Sequence, residues 1–104
     1  MLDVLKRIFR KQPDQKFKDL VSQGALIIDV RTKDEYHSGH ITGSINIPVS
    51  EMKDSLSKLT NQKAVYITCC ASGGRSEAAK QLLNAKGYLN VYNGGGWKSL
   101  RGKI

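Results

Sequence analysis

Four apolar runs of strand length divide the chain, and stretches of helical length separate them. The runs cover residues 25–30, 44–47, 64–69 and 89–92, and they are rich in Val, Ile and Tyr. The first and third runs are nearly continuous in apolar residues, which is typical of central strands covered on both faces. Strands that alternate with helices in this way predict an α/β domain with a mostly parallel sheet.

The stretches between the runs carry helix-start and helix-stop signals. Pro13 suits the first turn of one helix, and Gly24 suits the position after its end. Thr32 is placed to cap a short helix through Tyr36. Further helices are predicted over 3–11, 50–59 and 75–86.

Helical spacing also predicts which side chains face the core. The glycine-rich run 93–96 is predicted to be a loop, and Trp97 is expected to anchor a final short helix in the core. The inward-facing helical side chains are predicted to be Val4, Leu5, Ile8, Phe9, Phe17, Leu20, Val21, Met52, Leu56, Leu59, Ala78, Ala79, Leu82 and Leu83.

Length and composition indicate one globular domain, residues 1–104, in which 1–12 form a basic N-terminal extension or helix. No apolar run approaches the roughly 20 residues that span a bilayer, and charge interrupts the apolar start, unlike a signal peptide. We therefore expect a cytoplasmic monomer that does not enter a membrane, although a targeting segment removed from the sequence stays an alternative.

The formal net charge is +8, and much of it lies near the start. A solvated basic helix face is the favoured interpretation; attraction of small anions and binding to nucleic acid are alternatives. No aromatic stacking platform accompanies the charges, so we expect no nucleic-acid partner. Six of the 17 Lys and Arg residues are Lys6, Arg7, Arg10, Lys11, Lys16 and Lys18.

The two cysteines, Cys69 and Cys70, are adjacent. A bridge between neighbours closes a strained ring, and neither a Cys-x-x-Cys spacing nor a pair of His ligands accompanies them. This pattern argues against a structural disulfide or zinc site and favours a reactive thiol in a reducing compartment.

Cys70 follows a predicted strand and precedes a glycine-containing turn and a helix that begins near Arg75. Loop amides, the positive end of the helix dipole and the guanidinium can all favour an anion there. The thiol is therefore expected to be ionised, and its substrate to be anionic. Asp29 and Asn93 also fall at predicted strand ends, where open parallel sheets bind ligands.

Three segments of the chain carry distinctive motifs. They are Asp29-Val30-Arg31-Thr32-Lys33-Asp34-Glu35-Tyr36 with Gly39-His40-Ile41-Thr42-Gly43-Ser44-Ile45-Asn46-Ile47-Pro48, then Cys70-Ala71-Ser72-Gly73-Gly74-Arg75-Ser76, and then Asn93-Gly94-Gly95-Gly96-Trp97. These segments resemble the signatures of the single-domain rhodanese (sulfurtransferase) family, and their order and spacing agree across residues 25–100.

The resemblance implies a five-stranded parallel sheet with helices on both faces and no cofactor or metal. It implies that Cys70 accepts a sulfane sulfur from a donor such as thiosulfate and passes it, as a persulfide, to a thiol or cyanide. Asp29 and Arg31 are expected to support the site. The substrate-binding residues implied are Ala71, Ser72, Gly73, Gly74, Arg75 and Ser76.

Several side chains have two interpretations. Arg75 is expected to stabilise the anion, and the alternative is a structural ion pair with Asp29 or Glu35. His40 is expected to order its loop through a hydrogen bond, His37 to face solvent and Trp97 to lie in the core. Cys69 is expected to point away from the site, because strand side chains alternate, with a resolving role as the alternative.

Other functions share a cysteine loop of this kind. A phosphatase or arsenate reductase is disfavoured, because the loop from Cys70 to Arg75 has six residues where related phosphatases use seven. A non-catalytic docking module is disfavoured because the cysteine is present. A persulfide carrier for an acidic protein partner stays open. Ala71 stands where thiosulfate-using relatives often have a cation, which favours a less charged donor such as glutathione persulfide.

Overall fold

The computed structural model describes residues 13–104, so the predicted helix 3–11 and the extension 1–12 lie outside the described residues. The helices are α1 (Pro13–Ser22), α2 (Lys33–His37), α3 (Gly74–Ala85) and α4 (Trp97–Arg101), with a 3-10 helix, η1 (Val49–Lys58). The strands are β1 (Leu26–Asp29), β2 (Ile45–Asn46), β3 (Tyr66–Cys70) and β4 (Val91–Gly96).

The four strands form one parallel sheet in the order β2-β1-β3-β4. The predicted α/β class is confirmed, and so is the central position of β1 and β3. The prediction of five strands, which came from the family resemblance, is wrong for residues 13–104. Each of the four apolar runs forms one strand, and no further run in that range is left to add a fifth.

Successive side chains of β1 and β3 enter two separate cores, one on each face of the sheet. The first core lies under α3 and η1, and the second lies under α1 and α4. Cys70 belongs to the first core and Cys69 to the second. The first includes Ile28, Val30, Ile47, Met52, Leu59, Tyr66, Ala79, Leu83 and Val91, and the second includes Ile27, Ile41, Ile67, Trp97 and Leu100.

Local signals predicted the helix starts well. Thr32 caps α2 in a capping box: its Oγ1 accepts the Glu35 N–H at 3.3 Å, while Glu35 Oε1 accepts the Thr32 N–H at 3.0 Å. The predicted inward position of Ala78 is wrong, since Ala78 is exposed. The buried stripe of α3 runs through Ser76, Ala79 and Leu83, at spacings of three and four.

The glycine run, predicted to be a loop, forms the second half of β4 instead. Glycine permits this because the strand passes very close to its neighbours: a Cβ on Gly94 would lie 2.8 Å from both Ile67 Cγ2 and Leu100 Cδ2. On Gly96 it would lie 2.9 Å from the Ala71 carbonyl oxygen. The register also shifts between the Thr68–Asn93 and Cys70–Gly96 pairs, as at a bulge.

This close packing predicts that Gly94→Ala destabilises the protein by about 1–3 kcal/mol, because both side chains and the Thr68 carbonyl must move away from the new methyl group. Urea unfolding followed by circular dichroism measures the change. The control is Gly74→Ala at the start of α3, where a Cβ meets nothing within 4 Å. Equal unfolding midpoints for Gly94→Ala and the wild type would contradict the packing argument.

Candidate functional site

A buried ion pair joins Asp29, at the end of β1, to Arg31. Arg31 Nη2 lies 2.6 Å from Asp29 Oδ2, and its Nε donates to both carboxylate oxygens. The remaining donors of Arg31 reach the carbonyl oxygens of Glu35 at 3.1 Å and Gly39 at 2.7 Å. The guanidinium also lies 4.6 Å from the centre of the Trp97 ring. These contacts fix the position of α2 beside the carboxyl end of β1, while a supporting role of Asp29 and Arg31 in the reaction stays a prediction.

Glu35 on α2 holds Arg75 on α3. Arg75 Nη1 and Nη2 donate to the two oxygens of Glu35 at 2.6 and 2.9 Å, and both side chains are half-exposed. The Arg75 hydrogen bond, followed by the Thr32 amide, lowers the pKa of Glu35 to about 2. The structure thus shows the predicted alternative for Arg75, with Glu35 rather than Asp29 as partner. A role for Arg75 in substrate binding stays a prediction.

The Cys70 sulfur lies inside the turn between β3 and α3. Gly73 adopts φ +109, which glycine allows, and becomes the N-cap residue of α3. The sulfur accepts the Gly73 N–H at 2.9 Å and the Ser76 N–H at 3.4 Å. Helix α3 has no capping side chain of its own, and Ser76 is its third residue. The sulfur therefore stands where a capping oxygen stands in other helices.

This environment favours the thiolate. Burial alone would raise the pKa of Cys70, but hydrogen bonds from the Ser76 hydroxyl and from the amides of Ser76, Gly73 and Ser72 outweigh it, so the pKa is lowered. Helix dipole and amide donors are the means by which proteins activate cysteines. Ala71, Ser72 and Gly74 are exposed, so the outer side of the loop faces solvent. Of the predicted substrate-binding residues, Ser72, Gly73 and Ser76 donate to the sulfur, and a substrate-binding role for the loop stays a prediction.

Cys69 has the opposite environment. It is fully buried in the core on the other face of the sheet, as its predicted orientation requires. Burial raises its pKa to about 12, and the nearby Asp29 adds to the effect. The two neighbouring thiols therefore differ strongly in their tendency to ionise.

A polar network behind the loop includes Asn93, which was noted in the sequence for its position alone. The Ser76 hydroxyl donates to Asn93 Oδ1 at 2.6 Å, and the Gly95 N–H donates to the same oxygen at 2.9 Å. Asn93 Nδ2 donates to Glu77 Oε2 at 2.9 Å. In the sequence, Asn93 is marked only by its place at a predicted strand end and in the glycine motif, since its contacts with Ser76 and Glu77 depend on the pairing of β4 with β3.

The remaining side chains singled out in the sequence lie as predicted. His40 Nδ1 lies 2.8 Å from the Tyr36 carbonyl oxygen, and its ring stacks on that of Tyr36 at 3.7 Å between centroids. His37 is exposed, and Trp97 is buried in the second core.

Four cations lie over aromatic rings of the second core layer, and we call them the basic face. Lys98 and Arg101 lie 5.7 and 4.9 Å from the Trp97 ring centre. Lys16 lies over Tyr92 at 4.7 Å, and Lys103 over Phe17 at 5.8 Å. The ion pairs within residues 13–104 join Arg31 to Asp29 and Arg75 to Glu35, so none of them includes a cation of the basic face.

In the same range, every helix is too short or too polar to traverse a lipid bilayer. No cluster of three or more His, Cys, Asp or Glu side chains there is arranged to share a metal ion.

Comparison with known proteins agrees with this geometry. The family described as "Rhodanese-like domain" matches residues 13–103. The uncharacterised Bacillus subtilis protein YqhL is 36% identical over 99 residues, covering 94% of this chain and 77% of the relative. The Escherichia coli thiosulfate sulfurtransferase PspE is 36% identical over 74 residues, covering 70% of this chain and 71% of PspE.

A solved structure gives the same result. The human single-domain sulfurtransferase TSTD1 superposes with a TM-score of 0.75 at 28% identity, covering 86% of this chain and 93% of TSTD1. Relatives named as thiosulfate sulfurtransferases support sulfurtransferase activity for this chain. The match covers the sheet, the Cys70 loop and the Asp29–Arg31 segment together, and the chain therefore belongs to the rhodanese-like domain family.

Proposed function

We propose that the protein transfers sulfane sulfur through a persulfide on Cys70. The observation that carries this proposal is the position of the Cys70 sulfur, which accepts amide hydrogens at the start of α3. A free thiol with a pKa of about 8.5 is only about 3% ionised at pH 7, so these donors increase the reactive fraction.

The reaction has two balanced steps. The Cys70 thiolate attacks the outer sulfur of the donor, the donor S–S bond breaks, and sulfite or a thiolate leaves with the electron pair. The product is a Cys70 persulfide with its charge on the terminal sulfur. An acceptor thiolate or cyanide then attacks that terminal sulfur, and the Cys70 thiolate leaves. Both steps exchange one anion for another at the same place, which suits a site built from amide donors.

The charge near the thiol favours a donor of low charge. Ala71 places no cation beside the sulfur, and Glu35 occupies both terminal nitrogens of Arg75. Thiosulfate is a dianion, whereas a low-molecular-weight persulfide presents one negative charge at its reacting end. We therefore propose a persulfide such as glutathione persulfide as the better donor, with thiosulfate as the alternative.

A persulfide carrier that delivers sulfur to an acidic protein is a second candidate function. The basic face supports it, because opposite charge on a partner would speed association. Lys98 and Arg101 lie on α4, which directly follows β4, and the last residue of β4, Gly96, pairs with Cys70.

Intact-mass measurement after exposure to glutathione persulfide tests the main proposal. We expect one added sulfur, removed by cyanide, in the wild type and in Cys69→Ser, and none in Cys70→Ser, because only Cys70 lies in the amide-lined turn. Failure of every donor to add sulfur, together with hydrolysis of an aryl phosphate, would show a phosphatase instead. Faster loading from thiosulfate than from glutathione persulfide would overturn the donor proposal alone.

Alkylation by iodoacetamide tests the state of the thiol. The lowered pKa of Cys70 predicts that its alkylation rate rises with pH and reaches its plateau at a lower pH than that of free glutathione. Cys69, whose pKa is raised to about 12, should stay unmodified in the folded protein. Peptide mass spectrometry separates the two sites. In urea, both thiols should react like ordinary cysteines. If the alkylation rate of Cys70 in the folded protein depends on pH as that of glutathione does, the lowered pKa of Cys70 is contradicted.

Sulfur transfer to cysteine peptides tests the carrier function. Lys98→Glu with Arg101→Glu should slow transfer from persulfidated protein to a Glu-flanked peptide by about three- to tenfold at low salt, because charge steering is reversed. Transfer to a Gln-flanked peptide should change less than about twofold. The matched control is Lys53→Glu with Lys58→Glu, two exposed lysines on η1 across the sheet. Equal slowing by both pairs would refute a role for the basic face.

A further inference from the structure

The Ser76 hydroxyl has one proton and three acceptors within reach. Its Oγ lies 2.6 Å from Asn93 Oδ1, 3.0 Å from the Gly73 carbonyl oxygen and 3.4 Å from Cys70 Sγ. Ser76 is fully buried, so no solvent supplies a further donor. A hydroxyl donates one hydrogen bond at a time, and the three acceptors therefore compete for it.

The Asn93 amide is fixed with its oxygen towards Ser76. Its Oδ1 accepts the Gly95 N–H at 2.9 Å, and its Nδ2 donates to Glu77 Oε2 at 2.9 Å and to the Gly73 carbonyl oxygen at 3.4 Å. A rotated amide would place its NH₂ group against the Gly95 N–H and its oxygen against a carboxylate. The orientation is thus determined by neighbours other than Ser76.

We propose that Asn93 is a positioning residue that competes with the Cys70 sulfur for the Ser76 proton, and so makes that proton follow the charge on the sulfur. The consequence for sulfur transfer rests on the proposed function, while the competition itself does not.

Each state of Cys70 has its own hydrogen-bond arrangement. In the neutral thiol, S–H donates to Ser76 Oγ, and the hydroxyl donates to Asn93 Oδ1. In the thiolate there is no S–H, so the hydroxyl turns to donate to the sulfur, because an ionised acceptor is the stronger one. In the persulfide the charge sits on the terminal sulfur, and the hydroxyl returns to Asn93. No proton leaves the network in either rotation.

Asn93 thereby favours the thiol and the persulfide over the thiolate. A thiolate that is less stabilised is a stronger nucleophile, since nucleophilicity falls as pKa falls. The loop amides keep Cys70 ionised, while Asn93 limits the further stabilisation of the thiolate by the Ser76 hydroxyl.

The test is the pKa of Cys70, followed by thiolate absorbance at 240 nm; Cys69, with a pKa of about 12, does not interfere below about pH 10. Asn93→Leu, which keeps the branched shape of Asn but cannot accept a hydrogen bond, should lower the pKa of Cys70, with the acid dissociation constant rising about three- to tenfold. Ser76→Ala should raise it. In the Ser76→Ala background, Asn93→Leu should have no further effect.

The titratable groups around this network are Arg75 and Glu77 on α3, Glu35 on α2, Asp29 at the end of β1, and Cys69. The substitution keeps all of these residues and removes one contact to them, the hydrogen bond from Asn93 Nδ2 to Glu77 Oε2. Asn90→Leu is the matched control, because exposed Asn90 lies just before β4 and its side chain bonds the Lys63 carbonyl instead. Asn93→Ala replaces Asn93→Leu if the larger side chain prevents folding.

A second measurement links the competition to sulfur transfer. In a fixed mixture of glutathione and its persulfide, Asn93→Leu should lower the persulfidated fraction of Cys70. An unchanged or raised pKa in Asn93→Leu overturns the proposal, as does an equal shift with and without Ser76. If Asn93→Leu shifts the pKa of Cys70 but the wild type never accepts sulfur, the competition for the Ser76 proton stands and only the proposed function is refuted.

Discussion

The buried ion pair between Asp29 and Arg31 is the contact on which the rest of the site depends. It sits at the end of β1 and satisfies both carboxylate oxygens, while the remaining guanidinium donors hold the carbonyls of Glu35 and Gly39. Through these carbonyls the pair fixes α2, and α2 presents Glu35 to Arg75 at the start of α3. Burial of such a pair costs free energy of desolvation, and in exchange it specifies one arrangement of the neighbouring groups. Here that arrangement is the position of α2 beside the Cys70 loop.

The loop favours the Cys70 thiolate with few charged groups. Backbone amides and one hydroxyl donate to the Cys70 sulfur, and two of these amides belong to the start of α3. In the sulfur transfer that we propose, negative charge moves from one sulfur to the next, and fixed amide donors need little reorganisation between those states. The alternation of side chains along β3 explains why two thiols with opposite pKa shifts can be neighbours: the strand directs Cys70 towards the amides and Cys69 into the second core.

Local patterns predicted the parts of the structure that local physics determines. The apolar runs of β1 and β3 and the Thr32–Glu35 capping box follow from neighbours in the sequence, and they were predicted correctly. The glycine run of β4 was not, because its strand conformation depends on the approach of Ile67 and Leu100 from other elements. The choice of Glu35 over Asp29 as the partner of Arg75 spans 40 residues of sequence, and no local signal decides it.

The capping sulfur also couples the ionisation of Cys70 to the stability of the whole domain. The folded loop binds the thiolate better than an unfolded chain can, so its pKa is depressed on folding. By proton linkage, this contribution is complete above the ordinary thiol pKa of the unfolded chain, and it is lost as the pH falls through the folded pKa. Any reaction that removes charge from this sulfur therefore also weakens the start of α3, so the charge on Cys70 is measurable as a change in the protein's resistance to unfolding.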